Sequence, residues 1–170
     1  MENVNARRKR YGTGLVLGKF MPPHRGHLHL IDEARCQAEH VTIIVGTLAS
    51  EPIPGALRFR WMQELYPNLD VRHLTDENPQ YPHEHPDFWG IWTRSIRRFL
   101  PTGPDAVFTS EVYGDRLAAC LGAEHVPVDP GRRRVPVSAT QIREDPYRYW
   151  AFIPECVRPY FSEKVARAEE

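Results

Sequence analysis

Leu15-Val16-Leu17-Gly18-Lys19-Phe20-Met21-Pro22-Pro23-His24-Arg25-Gly26-His27 is the stretch that decides the fold class. A short apolar run stops at Gly18 and a loop with two adjacent prolines follows. Leu28, Ile31, Ala34, Arg35 and Ala38 then recur at helical spacing to about His40. Val41 to Val45 is a second apolar, β-branched run ending at Gly46, without polar alternation, as expected of a strand covered on both faces. Together these predict a first βαβ unit.

The rest of the chain continues the alternation. Leu57 to Leu65 reads as a helix, Val71 to Leu74 as a weak strand and Thr75 to Asp87 as a polar loop. Phe88, Ile91, Trp92, Ser95, Ile96 and Phe99 mark a helix with one aromatic face, ended by Pro101. Ala106 to Thr109 reads as a buried strand, Tyr113 to Leu121 as a helix closed by Gly122, and Val126 to Val128 as a last weak strand. The expected class is α/β: a Rossmann-like, doubly wound parallel sheet with helices on both faces, whose ligands bind beyond the carboxyl ends of the strands.

Composition narrows the function. The 170 residues are one domain's worth, so a basic tail over residues 1–10 and a single domain over 11–170 are expected. Hydrophobic residues make up 41%, and 22 Lys plus Arg balance 22 Asp plus Glu, which argues against a general electrostatic grip on nucleic acid or membrane. Any anion must be held by a local cluster. Three scattered cysteines form no C-x-x-C pair, and Arg7-Arg8-Lys9-Arg10 lacks the apolar stretch of a signal peptide. A soluble, cytoplasmic protein is expected, and a homo-oligomer is compatible with the sequence.

Two segments carry chemistry. Gly18 to His27 lies where a strand ends and a helix begins, a place where anions bind well. It is not a Walker A loop, because Thr13 and Phe20 stand where Gly and Ser or Thr are needed, and Gly12, Gly14 and Gly18 do not follow the strand as a dinucleotide fingerprint must. His24 and His27 could both donate to one phosphate, with Gly26 letting it approach the backbone; a zinc site with His29, or a plain His-rich turn, is the alternative. The second segment is Val137-Ser138-Ala139-Thr140-Gln141-Ile142-Arg143. Ser138 and Gln141 form a capping-box signature, and two hydroxyls with the Arg143 guanidinium suit a polyphosphate, although a plain helix cap explains the pattern as well. His83-Glu84-His85 has metal-ligand spacing, but it lies between prolines and reads better as a loop near an acceptor pocket.

The G-[RK]-F-x-P-x-H-x-G-H box and the late S-x-T-x-I-R box together resemble the nucleotidylyltransferase superfamily. Tyr81-Pro82-His83, Trp89-x-x-Trp92-x-x-x-Ile96, Thr109-Ser110-Glu111, Val128-Asp129-Pro130 and Ile142 to Pro146, with Tyr149-Trp150 through Ile153-Pro154, are similar to one branch. That branch is the nicotinamide-mononucleotide adenylyltransferase domain of the bifunctional bacterial NAD-biosynthesis proteins, and the likeness runs from about Gly14 to Phe161. Those proteins continue into a kinase and some begin with a helix-turn-helix; kinase and DNA-binding activities are not expected here.

The resemblance implies transfer of a nucleoside monophosphate from a triphosphate to a small phosphorylated acceptor, with pyrophosphate released. It implies the HxGH nucleotidylyltransferase fold. His24, His27, Lys19 and Arg143 would be catalytic, and Gly18, Phe20, Gly26, Ser138, Thr140 and Ile142 would hold the triphosphate. Arg58, Trp92 and Arg94 would meet the acceptor, with core packing the alternative for Trp92 and a solvated helix face for Arg58. Mg²⁺ would ride on the phosphates of ATP or CTP without a side-chain cage. The leading expectation is nicotinamide mononucleotide plus ATP giving NAD. A CTP-dependent enzyme for a small phosphonate such as phosphonoformate is the alternative, motivated by Arg94, and a non-catalytic nucleotide sensor is a third reading.

Overall fold

Leu15 and Val16, neighbours on one strand, are both fully buried, as are Ile43 and Ile44 on the next. Successive strand residues point to opposite faces, so this sheet must be covered on both. The computed structural model describes residues 8–168. The elements run β1 (Tyr11–Gly18), α1 (Arg25–Gln37), β2 (Ala38–Gly46), α2 (Gly55–Leu65), β3 (Asp70–Leu74), α3 (Phe88–Phe99), β4 (Ala106–Thr109), α4 (Gly114–Leu121), β5 (Glu124–Pro127), α5 (Ala139–Glu144) and α6 (Arg158–Ala168). Single 3₁₀ turns lie at Pro82–Glu84 and Trp150–Phe152.

The strands form one sheet in the order β3-β2-β1-β4-β5, and every neighbouring pair is parallel. Val16, Ile43, Val45 and Phe108 face α1 and α2, packing with Leu30, Ile31, Ala34 and Met62. Leu15, Ile44, Leu74 and Val107 face the other way, onto Ile96 of α3 and Leu117, Ala118 and Leu121 of α4. The Rossmann-like, doubly wound α/β architecture expected from the alternation is therefore the one observed.

Local boundaries differ where tertiary pairing overrides the pattern. The first helix stops at Gln37 and not near His40, because Ala38 turns extended and pairs with Tyr11 across the sheet. Ala38 is still buried, so a helical apolar period continues into a strand residue. β1 starts at Tyr11, ahead of Leu15, its first half disguised by glycines. Gly14 is required there, since a Cβ would stand 2.8 Å from the Phe108 ring. β5 is shifted to Glu124–Pro127, with the Val128 amide extending the pairing to the Thr109 carbonyl at 2.8 Å. Helix α6 was not anticipated.

A third apolar cluster sets the site. Met21, Ile53 and Trp61 pack with Val137, Ile142, Ile153, Val157 and Phe161, so the C-terminal segment closes against the loop that follows β1. Arg25 adds a hydrogen bond from Nε to the Ala151 carbonyl at 2.7 Å. Of the expected basic tail, residues 1–7 lie outside the described residues; Arg10 pairs with Glu124 at 3.0 Å. No helix among the described residues is long and apolar enough to cross a membrane.

Candidate active site

Gly18, Gly46, Leu74 and Thr109, the last residues of β1, β2, β3 and β4, all line one cleft of ≈ 660 Å³. It straddles the β1/β4 boundary, where the strand order reverses direction, and that is the place at which open parallel sheets bind ligands. The volume suits a small-molecule ligand.

His24 and His27 are set by the first turn of α1. His24 is the N-cap: its Nδ1 accepts the Gly26 amide at 3.0 Å, while Nδ1 of His27 accepts the His24 amide at 3.1 Å, closing a capping box built from two imidazoles. The rings stack with centroids 3.7 Å apart, and Phe20 packs edge-on against His27 at 4.8 Å. Because both Nδ1 atoms accept, each neutral ring carries its proton on Nε2. Burial, with Arg132 adding to it, pulls His24 down to about 4, and burial, His24 and Arg132 hold His27 well below the ordinary range. Both are neutral Nε2–H donors at pH 7, and both line the cleft. Gly26 is needed for the cap itself, since a Cβ there would stand 2.8 Å from the His24 ring.

The late box arrives opposite. Ser138 caps α5, its Oγ accepting the Gln141 amide at 3.2 Å while the Ser138 amide donates to Gln141 Oε1 at 2.9 Å, the expected capping box. Arg143 donates through Nη1 to the Met21 carbonyl and through Nη2 to Thr140 Oγ1 at 3.4 Å, which ties the two boxes together. Ser138, Thr140 and Arg143 line the cleft. Ile142 does not; it is fully buried beneath α5 and anchors it.

Lys19 lines the cleft, half exposed, its Nζ 2.9 Å from Glu51 Oε2. Arg58 departs from expectation. Its side chain is fully buried, with Nε donating to the Ile53 carbonyl at 3.0 Å, Nη1 to the Lys19 carbonyl at 2.9 Å and Nη2 to Glu51 Oε1 at 2.8 Å. It lies on neither a solvated face nor the cleft wall, and it braces the loop after β1 from behind. Glu51, which sequence reading missed, joins both cations. Burial would raise its carboxyl, but the Leu48 amide, Lys19 and Arg58 outweigh that and hold it below the ordinary range.

On the β2–β3 side the wall is aromatic. Trp92 packs on the apolar cluster of α3, as the core-packing alternative expects; its Nε1 donates to the Pro79 carbonyl at 2.8 Å, and the indole also lines the cleft beside Trp89. Arg94 departs from expectation, because it projects from the outer side of α3, is 67% exposed, and pairs with Asp87 at 2.8 Å outside the cleft. Below Trp92 a polar chain runs from Asn78 to Ser95 at 2.9 Å, from Ser95 to Asp76 at 2.7 Å, and on to Arg98. Tyr81 and Pro82 reach the cleft, whereas His83, Glu84 and His85 are exposed; Glu84 and His85 accept the Gln80 and Asp87 amides.

A further cleft residue, Arg132, escaped the sequence, which marks Glu111 only within Thr109-Ser110-Glu111. Arg132 pairs with Glu111 at 3.0 Å on the β4–β5 side. The signal available was Val128-Asp129-Pro130, since the Asp129 carboxylate accepts the amides of Arg133, Arg134 and Val135 and so shapes the loop carrying Arg132. Among the described residues no group of three or more His, Cys, Asp or Glu is arranged around a metal position.

Comparison with known proteins agrees with this fold. The model of a family described as cytidylyltransferase-like matches residues 15–145. The trifunctional NAD biosynthesis/regulator protein NadR of Escherichia coli is 33% identical over 94% of this chain and 43% of its own length, so the chain spans less than half of that relative. The nicotinamide-nucleotide adenylyltransferase of Thermococcus onnurineus is 30% identical over 77% of this chain and 70% of its own length. A crystal structure of NadR in complex with NAD and AMP-PNP superimposes with a TM-score of 0.67 at 23% identity, over 87% of this chain and 46% of that one. With the family model spanning residues 15–145, from β1 through α5 and so both segments that meet at the cleft, the chain belongs to the cytidylyltransferase-like family.

Proposed function

We propose that this protein is a nucleotidyltransferase that joins the adenylyl group of ATP to nicotinamide mononucleotide, giving NAD and pyrophosphate, with residues 11–170 as its catalytic unit. The observation that carries the transfer chemistry is the meeting of His24 and His27 with Ser138, Thr140 and Arg143 across one cleft at the sheet's switch point. The acceptor is supported by the names of the relatives, nicotinamide-nucleotide adenylyltransferase and NAD biosynthesis protein, which favour it over a phosphonate.

In this reading an oxygen of the acceptor phosphate attacks the α-phosphorus in line; that P–O bond forms as the bond to the β-phosphate oxygen breaks, and pyrophosphate leaves with the electron pair. Catalysis then consists of positioning and charge neutralisation. The neutral Nε2–H groups of His24 and His27 donate to the phosphate oxygens, with His27, the more open of the two, the contact to the transferred group. Lys19 exchanges Glu51 for phosphate. Arg143, with the Ser138 and Thr140 hydroxyls, receives the departing pyrophosphate.

The cleft carboxylates Asp76 and Asp129 are already engaged, the first by Arg98 and Ser95 and the second by three amides. Mg²⁺ would accordingly be carried on the phosphates, where it offsets their charge. Trp92 offers its indole face for stacking on the pyridine ring of the acceptor. Arg58 and Arg94 take no direct part.

The test is a pyrophosphate-release assay with Mg²⁺, crossing ATP, CTP, GTP and UTP against nicotinamide mononucleotide, nicotinate mononucleotide and phosphonoformate, with product masses. NAD from ATP and nicotinamide mononucleotide is expected. Release only with CTP and the phosphonate would overturn the acceptor assignment, and tight nucleotide binding without release would make the protein a sensor.

A further inference from the structure

We infer that Arg132 is a triphosphate-binding residue of this cleft, held on Glu111 until the nucleotide displaces that carboxylate. The inference deepens the nucleotidyl-transfer reading above and rests on it. Arg132 belongs to the loop between β5 and α5, and this loop is built rather than slack. Asp129 and Arg132 both adopt left-handed backbone, with φ of 46° and 51°, which non-glycine residues rarely do unless their surroundings impose it. The Asp129 carboxylate imposes it by accepting the amides of Arg133 at 2.9 Å, Arg134 at 3.1 Å and Val135 at 3.1 Å, while the Arg132 amide returns to the Asp129 carbonyl at 2.9 Å.

The loop places a guanidinium between the two phosphate boxes. Arg132 Nη1 donates to the Val137 carbonyl at 2.9 Å, one residue before the Ser138 cap. The same loop lies over the first turn of α1, where Val135 Cγ1 would be 3.9 Å from a Cβ on Gly26. The charge of Arg132 reaches both imidazoles. Its third link, Nη2 to Glu111 Oε1 at 3.0 Å, joins side chains that are 40% and 48% exposed. An ion pair that open to water exchanges readily, and a phosphate presents the guanidinium with the same paired oxygens as a carboxylate, at higher charge. Arg132 and Glu111 line the same cleft as His24, His27, Ser138, Thr140 and Arg143.

The experiment measures binding of inorganic pyrophosphate, and separately ATP and CTP, by calorimetry to the full chain and to R132A, R132K and E111Q, with thermal melts of each. Loss of one charged donor should weaken pyrophosphate binding at least about tenfold in R132A. R132K should fall between R132A and the unaltered protein, and E111Q, freed of the competing carboxylate, should bind as tightly as the unaltered protein or tighter. Pyrophosphate affinity within about twofold of the unaltered protein in R132A would overturn the inference; so would equal melting losses in R132A and E111Q with affinity unchanged. Should R132A not fold, R132K against E111Q decides by the same ordering. If the unaltered protein binds pyrophosphate yet makes no NAD, the acceptor assignment fails while Arg132 is still judged by these affinities. If it binds neither pyrophosphate nor triphosphate, both readings fall.

Discussion

The backbone amide of His24 donates to Nδ1 of His27 at 3.1 Å while the two rings stack 3.7 Å apart, and with the Gly26 amide donating to Nδ1 of His24 at 3.0 Å the capping turn fixes the tautomer of both rings. The helix cap and the cleft wall are made by the same pair of rings, and a change at one is felt at the other.

Removing either end of the phosphate site should stop the reaction. His27→Ala and Arg143→Ala are each expected to lower the rate of pyrophosphate release at least about a hundredfold, as loss of a charge-stabilising donor does elsewhere. Steady-state kinetics with each purified, folded variant check this, and near-normal turnover in either would contradict the assignment.

The buried imidazoles make stability depend on pH with a definite sign. Burial holds His24 at about 4 in the native state against an ordinary 6.5, so as pH falls the unfolded chain takes the proton first. The stabilisation is complete above pH 6.5 and is lost between there and about pH 4, at up to about 1.4 kcal/mol per pH unit for each such imidazole. Urea titrations at several pH values should show this slope, and His24→Asn, which keeps a capping acceptor, should flatten it. In kcat/KM these two residues should give no inflection near pH 6.5.

Gly26→Ala should be costly in both respects. The new Cβ would fall 2.8 Å from the His24 ring, which is itself buried, so the cap must open. A loss of about 1–3 kcal/mol is expected, together with a large fall in turnover. Denaturation and activity measured on the same preparation would settle it; unchanged melting would show that the ring can give way.

Glu51 is expected to matter through Arg58. Glu51→Ala leaves a fully buried guanidinium without its counter-charge, at a cost of about 3–5 kcal/mol. A double-mutant cycle with Arg58→Met should recover part of that loss; a simple sum of the single effects would show that the pair is not coupled.

The two acceptor-side residues of α3 should separate cleanly. Trp92→Ala is expected to raise the KM for nicotinamide mononucleotide about tenfold or more, as loss of an aromatic stacking platform does. Arg94→Ala is expected to leave it within about twofold, because its exposed pair with Asp87 is outside the cleft. A large Arg94 effect would return that residue to the acceptor site.

Much of the site was legible locally. The strand-loop-helix around His24 and the Ser138–Gln141 capping box are short-range patterns, written by periodicity and by residues three apart, and both formed as read. Ile142 of the second box, and Arg58 and Arg94 from the likeness on the acceptor side, were turned away from the cleft, since a motif records which residues recur together and not which way each side chain points. Ile142 carries α5 by packing, and Arg58 carries the Lys19 loop by its hydrogen bonds.

What the sequence by itself determined was the parallel sheet covered on both faces, the strand-end position of the first phosphate box and the helix cap of the second, because burial period and capping act over a few residues. What only the tertiary structure decided was which charges line the cleft. Lys19 and Arg132 stand at the cleft, paired with Glu51 and Glu111, Arg58 is locked behind it and Arg94 points outside it. That division depends on where Glu51, Glu111 and Asp87 come to lie after folding, and the desolvation and pairing that set a charge's role arise only from neighbours brought together through space.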